Sequence, residues 1–180
     1  MTRFLIPVLL PGLLLVSSCG KAPIEEAVGK NDRAAVTEAI KAGGDVNART
    51  SSGDSPLLLA TKSGQSSSAQ ALIEGGADIG ALDSDGNGAL HHAARTGMTG
   101  ICGLLIDRGI AANVAGQGGD TPLHFAVRAG KQETAKYLVR RGASLEQKNA
   151  AGASALDLVT ASGDQRFGND LKFAATTRAP

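Results

Sequence analysis

Asp83, Asp85 and Asn87 stand at alternate positions ahead of Gly88, and oxygen-bearing side chains at that spacing could hold a hard cation. Ligands at positions 1, 3 and 5, a turn glycine at 6 and the apolar Leu90 at 8 would open a calcium loop of the helix-loop-helix kind. Position 12 should then bring a bidentate Glu. It is Ala94, and the coordination sphere stays open. A second candidate chemistry is zinc, from His91, His92 and His124. A third is thiol chemistry at Cys102. No Gly-x-Ser-x-Gly, no phosphate loop and no Cys beside a placed His supplies a nucleophile with its base. A protein that is not an enzyme, and that carries no cofactor and no metal, is the expectation.

The rest of the chain must decide what positions these residues. With 42% hydrophobic residues but only 3% aromatics, no Trp and 24 Gly, the 180 residues suit one domain of small side chains packed closely. The formal charge of +1 creates no global field toward DNA or an acidic surface, so nucleic acid is not an expected partner.

Residues 1–18 read as an export leader. Arg3 precedes an apolar run from Phe4 to Val16 that is shorter than the roughly 20 residues of a spanning helix and carries Pro7 and Pro11. Its end, Val16-Ser17-Ser18-Cys19, resembles the bacterial lipobox. That resemblance implies diacylation of Cys19 as the first mature residue, and hence a membrane partner through an N-terminal lipid anchor. Gly20 in place of Asp implies, by the sorting rule of Gram-negative lipoproteins, the outer membrane on its periplasmic side. Residues 19–23 would form a short linker, the four after Cys19 reaching about 14 Å at most.

A repeat governs everything after the linker. Gly53, Gly86, Gly119 and Gly152 recur at a period of 33. The same register carries Pro56-Leu57, Ala89-Leu90, Pro122-Leu123 and Ala155-Leu156, then Ala60, Ala93, Ala126 and Val159. Further on it carries Leu72, Leu105, Leu138 and Leu171. The stretch from Gly119 to Ala143, with Thr121-Pro122-Leu123-His124 at its head, resembles the ankyrin repeat. The resemblance covers about residues 24 to 175. It is looser in repeat three, where Gly88-Ala89 replace Thr-Pro, and in repeat two, where Leu58 replaces His.

The fold it implies is all-α: an ankyrin-repeat solenoid of four to five 33-residue helix-loop-helix units joined by hairpin loops. The units are a cap repeat at 24–49, repeats at 50–82, 83–115 and 116–148, a C-terminal cap at 149–175, and a tail at 176–180. Pro at a first helical turn loses no hydrogen bond, Ser55 or Thr121 can cap the same end, and helices of about two turns must lean on neighbours to persist. Asp83 to Gly88 then fall in a hairpin whose tight turn uses Gly86. His91 and His124 share a column spaced by about 10 Å, too far to share a zinc ion that needs each nitrogen at about 2.0–2.1 Å. The resemblance gives them a structural role, tying loop to helix start. Cys102 aligns with Ala69 and Ala135 in a small, buried column. Gly100 and Gly103 should soften the outer helix of repeat three.

What remains is surface. The resemblance implies a concave groove lined by the inner helices. One column facing it is Leu59, His92, Phe125 and Leu158, and a basic one beside it is Lys62, Arg95 and Arg128. Hairpin tips would offer Arg49, Ser51, Leu82, Ser84, Ala115, Gln117 and Asn149. The expected function is protein–protein interaction by a monomer, through Leu59, Lys62, Leu82, His92, Arg95, Phe125 and Arg128. The alternatives are an immunity-type inhibitor of a toxin and a redox- or metal-responsive envelope protein acting through Cys102.

Overall fold

The computed structural model describes residues 24–177; the leader, Cys19 and the linker lie outside the described residues. Within them the chain is all-helical, with ten α-helices and no named strand. They run in pairs: α1 (Ile24–Gly29) with α2 (Arg33–Lys41), α3 (Pro56–Lys62) with α4 (Ser66–Glu74), and α5 (Ala89–Thr96) with α6 (Thr99–Asp107). The series closes with α7 (Pro122–Arg128) and α8 (Gln132–Arg140), then α9 (Ala155–Ser162) and α10 (Gln165–Thr176). Odd-numbered helices pack on one another in one row and even-numbered helices in a second, giving a two-layer stack.

Local sequence sets each start. Pro56 and Pro122 occupy the first turns of α3 and α7, where their missing N–H is not needed. The Ser55 hydroxyl accepts from Leu58 N at 3.3 Å, and Asp32 accepts from Ala34 and Ala35 N to cap α2. The helices hold 6 to 12 residues. Such lengths are marginal in water alone, so stability must come from stacking. The stacking column is sealed: Ala60, Ala93 and Ala126 are fully buried, as are Leu72, Leu105, Leu138 and Leu171. Methyl-sized side chains in the first set let the inner helices approach; leucines in the second fill the space between layers.

The four corner glycines behave alike, with φ of 82° at Gly53, 72° at Gly86, 75° at Gly119 and 76° at Gly152. An L side chain rarely adopts that region, which explains glycine in this one column. Isolated antiparallel bridges join Leu82 to Gly88 and Lys148 to Ser154 at two hairpin necks.

Two expectations change. Asn149 is not a projecting tip residue. It is buried, because its side-chain amide donates to Asp120 Oδ1 at 2.7 Å while its oxygen accepts from Ala151 and Ala153 N. Gly103 is not simply a soft spot. A Cβ there would meet the Tyr137 hydroxyl at 2.5 Å, so the glycine admits the side chain of the next repeat.

Candidate functional site

Lys62, Arg95 and Arg128 each close the last turn of an inner helix, and Leu59, His92 and Phe125 sit one turn earlier. The structure brings these six onto one face of the inner row, yet it does not make the basic column uniform. In repeat two, Lys62 Nζ lies 2.9 Å from both oxygens of Asp54 and 3.1 Å from Oδ2 of Asp83, which belongs to the next hairpin. In repeat four, both terminal nitrogens of Arg128 engage Asp120, with Nη2–Oδ1 at 3.0 Å. Asp54 and Asp120 occupy the same repeat position. In repeat three that position is Asn87, and Arg95 is exposed with no ion pair to any described residue.

Asp83 is the hub of the face. Its Oδ1 accepts from Asp85 N at 3.0 Å and Asn87 N at 2.9 Å, which shapes the hairpin, while Oδ2 meets Lys62 and His92 Nε2, the latter at 2.8 Å. Every lone-pair direction therefore has a protein donor. The acid that opened the calcium pattern is a turn former and a crosslink between repeats. Burial alone would raise the Asp83 carboxyl, but the Asn87 N–H, Lys62 and His92 outweigh it and hold it at about 2.

His92 lies mostly buried, so it offers the groove less surface than its column position implied. Burial lowers its pKa, against the opposing pull of Asp83. The neutral ring donates from Nε2 to Asp83, which leaves Nδ1 buried and unbonded. Phe125 sets its ring edge-on to both histidines, with centroids 5.3 Å from His91 and 6.5 Å from His92.

His91 and His124 follow one pattern. Nδ1 accepts from the N–H of Gly88 and of Thr121, each at 3.1 Å, and Nε2 donates to a carbonyl of the following hairpin, Val114 at 3.2 Å or Ala153 at 3.1 Å. Each ring thus ties its own helix start to a later loop carbonyl, which for His124 belongs to the next repeat. Among the described residues, no group of three or more His, Cys, Asp or Glu side chains could hold a metal ion. Cys102 is fully buried and its thiol is pushed up to about 12 by that burial, which suppresses the reactive thiolate. The geometry gives a redox role at Cys102 no support.

Two surfaces complete the picture. Leu82 stands 54% exposed at its hairpin. A cleft of about 620 Å³ opens in the outer row, lined by Ser67, Gln70, Met98, Gly100, Leu104 and Tyr137. It lies on the outer row, away from the charged network, and Gly100 in its lining leaves open space where a side chain would stand. Sequence reading missed both the cleft and the Asp83 hub. The Asp54, Asn87 and Asp120 column at 33-residue intervals was a signal for the pairing of Lys62 and Arg128, whereas nothing in the repeat pattern marked Asp83.

The family model for ankyrin repeats (three copies) matches residues 24–115 and 57–149. A comparison with curated proteins returns no match. Among the described residues, no helix is long and apolar enough to cross a membrane.

Proposed function

Because the chain belongs to the ankyrin-repeat family, whose repeats are generally protein–protein interaction modules, we propose that it is a non-catalytic, lipid-anchored adaptor of the bacterial envelope. It binds a partner protein through the face of its inner helices, with the hairpin tips around Leu82 as a second contact. One observation carries this reading. Leu59, Phe125 and Leu158 stay only half-buried on α3, α7 and α9, and Arg95 is exposed on α5 between them, so the inner face leaves apolar side chains and a charge uncovered. A partner that buries these side chains gains their hydrophobic contribution, and aromatic anchors like Phe125 dominate interfaces of this type.

The test is photocrosslinking in the native envelope from a benzophenone side chain placed at Phe125 or Leu82. One dominant adduct, shared by several inner-face positions and missing from α10 positions, is expected. Adducts that simply follow the abundance of envelope proteins would end the adaptor reading. Anchoring is tested separately. Cys19→Ala should move the protein from the membrane fraction to the soluble periplasm, and density fractionation of the unaltered protein should place it with the outer membrane. Unchanged fractionation of the variant would remove the lipid anchor.

A further inference from the structure

The three basic residues of the inner column are chemically unequal. Lys62 serves two carboxylates, Asp54 and Asp83, so its cluster carries one formal negative charge with His92 neutral. Arg128 serves one, Asp120, and is balanced. Arg95 serves none among the described residues: Asn87, a neutral amide, stands where its neighbours have Asp. Along the face the sign therefore runs negative, positive, neutral, with the only uncompensated cation of the column in the middle repeat.

The junction behind Arg95 is also built differently from its counterparts. In repeat five, Asn149 reaches back to Asp120 at 2.7 Å, and in repeat three, Asp83 reaches back to Lys62. The equivalent residue of repeat four is Gly116, which reaches nothing. A Cβ there would fall 2.2 Å from Asn87 Oδ1, so a side chain at this position would have to displace the Asn87 carboxamide. Asn87 Oδ1 and His92 Nδ1 are both buried without a hydrogen-bond partner. Unsatisfied polar atoms are uncommon in native proteins and call for a cause. Two in the repeat that also carries the unpaired guanidinium mark repeat three as the place where the internal charge pattern is interrupted.

We infer that this interruption is an anion-accepting subsite: Arg95 takes the carboxylate of an Asp or Glu side chain on the partner protein, in the place where a cis carboxylate neutralises Arg128, while an adjacent apolar residue of the partner rests on Phe125. The inference builds on the inner-face reading of function and specifies its partner. Charge complementarity carries the choice of occupant. Along the inner column, a partner carboxylate is repelled at the negative cluster of repeat two, meets a guanidinium already paired with Asp120 in repeat four, and finds an unpaired one at Arg95. Guanidinium suits the task because its planar fork holds both carboxylate oxygens.

The test uses peptides selected from a random-sequence phage library on the full-length protein. Each selected acidic peptide is synthesised with its carboxylate intact and with Gln or Asn in its place. The acidic form should bind about tenfold or more weakly to Arg95→Gln. It should weaken equally on Asn87→Asp, which gives Arg95 the internal partner its neighbours already have. The amide form should not distinguish these variants from the unaltered protein. Arg166→Gln, which removes an exposed charge from α10, controls for net charge, and thermal melting of each variant controls for folding. Peptides that lose binding on Phe125→Ala but ignore both Arg95→Gln and Asn87→Asp would overturn the anion subsite and leave the inner-face reading intact. Peptides that also ignore Phe125→Ala, or a selection that yields no dependence on a carboxylate, would overturn the subsite together with its location.

Discussion

Asp83 shows how one side chain can hold a hairpin, a histidine and the preceding repeat at once. Its carboxylate is nearly closed off from solvent at 3% exposure, so its interactions are little screened. A carboxyl held at about 2 against the ordinary 3.8 contributes roughly 2 kcal/mol of stability. Since the folded value is the lower one, that stability is present above pH 3.8 and is lost as pH falls through about 2. His91 and His92 act earlier on the same scale. Burial lowers both below 6.5, so the unfolded chain takes up protons first and stability declines as pH drops below 6.5. Urea unfolding across pH 7.5 to 2.5 should show both declines. Asp83→Asn should be destabilised by about 1–3 kcal/mol at neutral pH, because His92 loses its carboxylate acceptor and Lys62 keeps only Asp54. Its deficit should narrow below pH 3.8. A constant deficit down to pH 2.5 would mean that the carboxylate charge is not what holds the hub together.

At the scale of elements, α6 separates two glycines that look alike in sequence. Gly100 is exposed, with nothing within 4 Å of an added Cβ, whereas Gly103 is buried against Tyr137 of α8. Gly100→Ala should therefore stabilise by up to about 1 kcal/mol, through helix propensity alone. Gly103→Ala should destabilise by about 1–3 kcal/mol, because the Tyr137 ring must move and draw Arg141 with it. Equal effects of the two replacements on the urea midpoint would refute the distinction. The pair also shows where sequence reading stops. Helix positions, corner glycines and the alanine seam were legible, because the 33-residue period repeats one local solution and each column can be read by comparing copies, while the histidine clamps followed from the resemblance to the ankyrin repeat. Gly103 depends on a tyrosine 34 positions later, and Asp83 on a lysine in the previous unit. Such contacts run between repeats, where the three-dimensional stack decides which side chains converge. Asn149 was misplaced for the same reason: a turn residue by sequence, it is pulled inward by Asp120.

For the whole molecule, packing passes only from each pair to its neighbours. Inner helices touch the adjacent inner helices, outer helices the adjacent outer ones, and the His124 clamp and the Asp83 crosslink each span one junction. Stability in such a stack is close to a sum of unit and interface contributions, so damage should stay local. A chain ending at Gln147 tests this directly. It would lose the Ala153 carbonyl that His124 binds, the Asn149 amide that braces Asp120, and the α9 and α10 surfaces that cover α7 and α8. Leu123, Ala126 and Leu138, all fully buried in the intact stack, would border solvent on one side. Hydrogen exchange should then show amide protection in α7 and α8 falling by at least about tenfold, with α3 and α4 close to their original rates. Equal loss in α3 and α4 would mean that the five pairs open as a single cooperative block. In that case a partner bound at Arg95 would stabilise the whole chain, and not merely the repeats it touches.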